Sequence, residues 1–105
     1  MAERKFQAQL VRELRRMFGG CIILKNDPNY LQGVPDLIIL WNDQWAALEV
    51  KNDEDSPVQP NQRYYVNVMD RMSFAAFIHP RNAEEVLLEL QRSFTASRNA
   101  RFPGR

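Results

Sequence analysis

Residues 35–51 have the sequence PDLIILWNDQWAALEVK, in which two apolar runs are separated by a short polar segment. The runs occupy residues 37–40 and 45–48, and the polar segment is centred on Asn42 and Asp43. Two apolar runs of this length around a short polar turn are typical of a β-hairpin. The sequence therefore predicts two antiparallel neighbouring strands in the middle of the chain.

The register of this hairpin predicts that charged side chains come together. If residues 42 and 43 form the turn, counting outward along both strands pairs Asp36 with Glu49. Directly paired residues have Cβ atoms roughly 5 Å apart, and two like charges at that separation are destabilising. Lys51 lies on the same face as Glu49, because side chains two residues apart on a strand share a face. We therefore expect two carboxylates and an ammonium group at one end of an otherwise apolar hairpin.

A divalent cation would relieve the repulsion between these two carboxylates. Mg²⁺ takes oxygen ligands, typically one or two carboxylates together with water and substrate phosphate. Asp36 and Glu49 are therefore candidate ligands of Mg²⁺ or Mn²⁺. The alternative is that they are ordinary solvated charges at a strand end.

Further elements flank the hairpin on both sides. Apolar residues spaced three and four apart predict an amphipathic helix over residues 3–18, which ends at two glycines. Pro60 suits the first turn of a later helix, with Tyr64, Val68 and Met72 as its inner stripe. The remaining predicted elements are a strand at 21–25, a loop at 26–34, a strand at 73–78 and a last helix that Asn82 caps, with Ala83, Val86, Leu87 and Leu90 facing inward. The order is helix, three strands, helix, strand, helix, which is an α/β fold.

Length and composition predict one small domain. The chain has 105 residues, of which 45% are apolar, enough for a single core. We expect the domain to cover residues 1–94 and residues 95–105 to form a flexible basic tail. No run approaches the 18 or so apolar residues of a membrane span, and the first residues lack the pattern of a secretory signal, so no membrane association and a cytoplasmic location are expected.

Single residues and overall charge exclude several kinds of site. Cys21 has no partner for an internal disulfide and is expected to pack as a small apolar residue. With His79 as the only histidine, the chain lacks the ligands of a usual zinc site, so His79 is expected to be structural. The net charge of +1 by itself neither favours nor excludes nucleic acid, but arginine outnumbers lysine eleven to three, which suits phosphate contacts.

The chain resembles the PD-(D/E)xK nuclease superfamily in its order of elements, with Pro35-Asp36 opening the second strand and Glu49-Val50-Lys51 closing the third. The sequence GVPDLI at residues 33–38 is most similar to that of the VRR-NUC group, small domains found in bacteriophages and in larger repair nucleases. The resemblance covers about residues 3–80. It implies a restriction-endonuclease-like αβββαβ core with a mixed four-stranded sheet flanked by helices.

The resemblance also implies roles for the residues of the two motifs. Asp36 and Glu49 would bind the metal, with the backbone carbonyl of Val50 as a further ligand. Lys51 would position or polarise the attacking water. All three side chains would then be catalytic.

Two further catalytic residues are implied outside the hairpin, and the first of them would also bind the metal. Members of the superfamily place a glutamate of the first helix near the metal, which here is Glu3, with Glu13 as the alternative. They also place a glutamine in the helix after the third strand. That residue is Gln62, with Gln59 as the alternative.

The activity implied is that of a Mg²⁺- or Mn²⁺-dependent DNA endonuclease. The small stand-alone size resembles phage proteins that cut branched DNA in the bacterial host, so a Holliday-junction-resolvase-like enzyme acting as a homodimer is expected. The alternatives are a non-catalytic module that keeps the nuclease fold to bind nucleic acid, and an accessory subunit that cuts only with a larger partner.

Overall fold

A computed structural model describes the backbone of residues 2–101 and the side chains of residues 4–96. Its elements follow the predicted order, and most of their ends lie within two residues of the predicted ones. They are α1 (Ala2–Met17), β1 (Ile22–Lys25), β2 (Leu37–Trp41), β3 (Gln44–Val50), α2 (Pro60–Met72), β4 (Phe74–Ile78) and α3 (Ala83–Arg101). The α/β class is confirmed.

The four strands form one mixed sheet in the order β1-β2-β3-β4. β1 pairs antiparallel with β2, and β2 pairs antiparallel with β3. β4 runs parallel to β3, because the chain crosses over through α2 before it returns to the sheet. The mixed four-stranded sheet flanked by helices is therefore present.

The hairpin of β2 and β3 has the predicted register. Trp41 pairs with Gln44, and at the far end Leu37 pairs with Leu48. Asn42 has a positive φ of 57°, a conformation that asparagine adopts in tight turns more readily than most residues. Continuing the register by one residue sets Asp36 opposite Glu49.

The helices cover the two faces of the sheet unequally. α1 and α3 pack on one face and contribute most of the core, including the buried Leu10, Leu14 and Leu90. α2 packs alone on the other face, where Val66 contacts Ala47 and its neighbours. The chain therefore forms three layers, with α2 on the side of the sheet toward which Ala47 and, two residues on, Glu49 point.

The inner face of α2 differs from the predicted one. Tyr64 and Met72 are 60% and 70% exposed, whereas Val66 is buried and Met69 is partly buried. The prediction of a Tyr64, Val68 and Met72 inner stripe was wrong. Val66 and Met69, which are also spaced three apart, face the sheet instead. The Ala75 N–H of β4 donates to Asp70 Oδ1 at 3.0 Å, a contact that goes with this orientation of the helix.

α3 is longer than the sequence indicated and includes a core residue that the predicted inner face omits. Phe94 is buried and packs its ring on Phe18 and Trp41, with centroids 5.1 and 5.7 Å away. The Gln44 amide also donates to the Phe94 carbonyl at 2.9 Å. The helical backbone continues past residue 94 to Arg101. The predicted flexibility of residues 95–105 stays a prediction.

Cys21 and His79 have the structural surroundings expected of them. Cys21 packs against the main core, and its thiol lies 3.9 Å from the Leu14 carbonyl. His79 follows β4, and its Nδ1 accepts the Arg81 N–H at 3.2 Å. No helix within the described part of the chain is long and apolar enough to cross a membrane.

Candidate metal and catalytic site

Asp36 is held between the strands on either side of β2. Its Oδ2 accepts the backbone N–H of Val50 at 2.9 Å. Its backbone carbonyl accepts the N–H of Asn26, just past the end of β1, at 2.8 Å. The carboxylate therefore lies against the end of β3 that carries Glu49, as the register predicts.

Glu49 is a buried charge with polar partners. The residue is 4% exposed. Its Oε2 accepts the Gln62 amide at 3.0 Å and lies 3.7 Å from the Lys51 ammonium. Because a buried carboxyl group without polar partners is destabilising, these two contacts offset the cost of its burial.

Lys51 is fixed in place by acceptors on both sides of its ammonium group. Nζ donates to the carbonyl of Pro57 at 2.9 Å and to Oε1 of Gln62 at 2.8 Å. Only 12% of its side chain is exposed. Sequence reasoning missed the Pro57 carbonyl, since nothing in the composition of the loop between β3 and α2 indicates which backbone oxygen turns inward.

Gln62 joins the two charged residues through the two ends of one amide. Its nitrogen donates to Glu49, and its oxygen accepts from Lys51 and from the backbone N–H of Gln59, the last at 3.0 Å. These contacts fix the orientation of the amide, because only one assignment of oxygen and nitrogen satisfies all of them. Of the two glutamines left open by the sequence, Gln62 reaches the charged groups, whereas Gln59 contacts Gln62 as the residue that caps α2.

The electrostatic state of Asp36 reflects its partial burial. Loss of solvent raises the pKa of the Asp36 carboxyl above its ordinary value, while the bond from Val50 and the nearby Lys51 charge oppose that rise. A carboxylate that is costly to ionise gains when a cation binds beside it. Asp36 is therefore suited to hold a metal ion.

The two candidate glutamates of α1 have different positions. The C-terminal end of α1 lies near the hairpin turn, where Phe18 contacts Trp41. The backbone of Glu3 lies in the first turn of α1, at the other end of the helix. The side chain of Glu3 lies outside the described residues, so its role stays a prediction.

Glu13, the alternative, lies elsewhere. Its carboxylate pairs with Arg16 on the same helix. Both residues line an open groove between α1 and α3, together with Glu84 and Leu88. This groove lies on the α1 and α3 side of the sheet, so Glu13 is not brought to Asp36 and Glu49.

The donor set fits a hard cation and not a zinc ion. Within residues 4–96, no three His, Cys, Asp or Glu side chains come together as a complete metal cage. Two carboxylates that leave the remaining positions to water and phosphate oxygens match the usual Mg²⁺ arrangement. Asp36 and Glu49 would be the protein ligands, and the Val50 carbonyl stays a predicted third.

No family model, curated protein or solved structure matches this chain. Its function is therefore inferred from the residues and their geometry.

Proposed function

We propose that this protein is a Mg²⁺- or Mn²⁺-dependent DNA endonuclease with a fold of the restriction-endonuclease type. One observation supports the proposal: Asp36 bonds the Val50 N–H next to Glu49, and Glu49 lies against Gln62 and Lys51. A buried Glu49 beside a partly buried Asp36 has no structural benefit for such a small core. A divalent cation bound between the two carboxylates would offset the cost of placing them together.

A bound Mg²⁺ would act as a Lewis acid on a phosphate oxygen and would lower the pKa of a coordinated water. The carboxylates of Asp36 and Glu49 would hold this ion. Lys51 lies on the same face and supplies a positive charge near the phosphate, where it positions the nucleophile and stabilises developing negative charge. Gln62 keeps Glu49 and Lys51 in one geometry.

The substrate class rests on charge and on the resemblance to small phage nucleases. The excess of arginine over lysine, eleven to three, supports phosphate binding. α1 has a strongly basic surface, with exposed Arg4, Lys5, Arg12, Arg15 and Arg16. We infer branched DNA, including four-way junctions, as the preferred substrate.

Symmetric cutting of a junction requires two active sites, which a homodimer supplies. Ile22 and Leu24 lie on β1, the edge strand of the sheet, and are 57% and 49% exposed. Exposed apolar side chains beside an open strand edge support association with a second copy. Light scattering measures the oligomeric state, and a strictly monomeric protein would contradict symmetric resolution.

The proposed activity is tested by cleavage of labelled four-way junction, flap, linear duplex and single-stranded DNA with Mg²⁺ or Mn²⁺. Wild-type protein is compared with Lys51→Ala and with Arg92→Ala, which removes an exposed cation on α3, near the opposite end of the hairpin from the site. We expect the wild type and Arg92→Ala to cut the branched substrates and Lys51→Ala to lose cleavage while it stays folded.

Three other outcomes have distinct meanings. Equal cutting of every substrate by the wild type would indicate a general nuclease. DNA binding without any cutting would favour a non-catalytic module, or a subunit that needs a larger partner. Undiminished cutting by folded Lys51→Ala would contradict the proposed site.

A further inference from the structure

The loop between β1 and β2, residues 26–35, begins and ends at the candidate site. The Asn26 N–H donates to the Asp36 carbonyl, and the Asn26 side-chain amide donates to the Val34 carbonyl at 3.4 Å. The base of the loop is therefore closed beside the first metal-ligand candidate. A movement of the loop base would displace Asp36 itself.

The loop is ordered by contacts of its own and by α2. Asp27 Oδ1 accepts the Asn29 N–H at 2.9 Å, and the Asp27 carbonyl accepts the Tyr30 N–H at 3.1 Å, which forms a turn. Gly33 packs so closely on α2 that a Cβ there would lie 2.7 Å from Cγ of Asn61. Asn61 directly precedes Gln62, so the loop touches the site from the α2 side as well.

Tyr30 lies in this fixed loop with its side chain in solvent. It is 87% exposed, and the neighbouring Leu31 is 43% exposed. A ring exposed to that extent contributes almost nothing to the core. Its planar face is free to contact another molecule.

The length of the loop would keep Tyr30 near a phosphate bound at the candidate site. Three residues lie between Asn26 and Tyr30, so their Cα atoms are at most about 14 Å apart. DNA rises about 3.4 Å per base along each strand. Tyr30 therefore reaches bases within about four steps of a phosphate held at Asp36.

We propose that Tyr30 stacks on an unpaired base next to the scissile phosphate, so that the loop selects DNA in which a base face is exposed. Aromatic rings stack on any of the four bases with a substantial gain in binding, independently of sequence. In continuous duplex both faces of each base are covered by neighbours, whereas flaps and branch points expose them. The inference rests on the proposed nuclease function and adds the basis of its substrate selection.

The test compares Tyr30→Ala, Tyr30→Leu and Tyr30→Trp with the wild type. kcat/KM is measured on a flap and on linear duplex of the same sequence. We expect Tyr30→Ala and Tyr30→Leu to lose about tenfold or more on the flap, as one stacked base is lost, and to change less than about twofold on duplex. Tyr30→Trp, which keeps an aromatic face, is expected to retain flap cleavage.

A second readout reports stacking without cleavage. The flap carries 2-aminopurine at its unpaired position, and protein is added in EDTA. We expect the fluorescence to be quenched by the wild type and by Tyr30→Trp, and much less by Tyr30→Ala. Thermal melting checks that each variant is folded.

The outcomes separate the stacking proposal from the nuclease proposal. Equal losses on flap and duplex, or a Tyr30→Leu variant that behaves like the wild type, would overturn stacking and leave the nuclease intact. If the wild type cut no DNA, the nuclease proposal would fail, and the fluorescence would decide on stacking alone: absence of a Tyr30-dependent quench would overturn it.

Discussion

Gln62 connects Glu49 and Lys51 through hydrogen bonds. Its amide bonds Glu49 and Lys51 at the same time, and the backbone of Gln59 fixes its oxygen. In the proposed metal site, such contacts would orient Glu49 without touching the substrate. We therefore assign Gln62 the role of a positioning residue in that proposal.

We expect Gln62→Ala to lower kcat for DNA cleavage by about 10- to 100-fold, the usual effect of removing a group that orients a metal ligand. The KM for DNA should change little, because Gln62 is not placed against the nucleic acid. Asn67→Ala, at an exposed position further along α2, is the matched control. Steady-state kinetics on the flap substrate measure both variants, and equal effects of the two substitutions would contradict the positioning role.

The raised pKa of Asp36 has a consequence for the metal-free protein. The folded state binds a proton at this carboxyl more tightly than the unfolded chain does. Stability is therefore lost as pH rises from the ordinary pKa of aspartate through the raised one, and the full loss is present above it.

We therefore expect Asp36→Asn to melt at a higher temperature than the wild type at pH 7 in EDTA. The difference should shrink as the pH falls to about 4, near the ordinary pKa of an aspartate. Asp55→Asn, at an exposed position in the loop after β3, should alter the melting temperature little at any pH. Calorimetric melting from pH 4 to 8 measures this, and a difference that did not vary with pH would show that Asp36 ionisation does not act on stability.

Among the elements, the hairpin was the most predictable and α2 the least. Alternating faces and a two-residue turn fix the hairpin register without help from the rest of the chain, and the position of Asp36 follows from it. The face that α2 buries goes with its contacts to the sheet, those of Gln62 with Glu49 in β3 and of Asp70 with the Ala75 N–H in β4. Periodicity alone did not distinguish its two apolar stripes.

The contact between the β1–β2 loop and α2 provides an element-level prediction. Gly33 has a positive φ of 93°, and an added Cβ would lie 2.7–2.8 Å from side-chain atoms of Asn61. Gly33→Ala should therefore reduce the free energy of unfolding by about 1–3 kcal/mol, as expected for a strained backbone position. Denaturant unfolding measures the loss.

Two further variants identify its cause. Gly19→Ala is the matched control, because no atom lies within 4 Å of its added Cβ, and a change within about 0.5 kcal/mol is expected. In an Asn61→Gly background, Gly33→Ala should reduce the free energy of unfolding by less. The steric clash with Asn61 is then absent, and only the strain of the positive φ remains. Strictly additive losses would show that the contact with Asn61 is not the origin.

At the scale of the whole molecule, the order of elements, the mixed sheet and the central pair Asp36 and Glu49 were predictable from the sequence. The three-layer packing explains why: the strand patterns and the apolar stripes of α1 and α3, though not that of α2, indicate the faces that are buried. The aromatic cluster around Phe94 was missed, because the polar residues that follow it in α3 obscure the end of the apolar pattern. The contact of Lys51 with the Pro57 carbonyl was missed because every residue has a backbone carbonyl, so the sequence does not indicate which one accepts a hydrogen bond.

The most direct test of the metal site is a Mn²⁺ titration of isotope-labelled protein followed by NMR, without DNA. Paramagnetic broadening should appear first at the amides of Asp36, Val50 and Lys51, and Glu49→Gln should abolish it. The acidic residues 53–55 provide an internal comparison, as an exposed cluster that also attracts cations. Broadening centred on residues 53–55, or unchanged in Glu49→Gln, would contradict a metal ion held by Asp36 and Glu49.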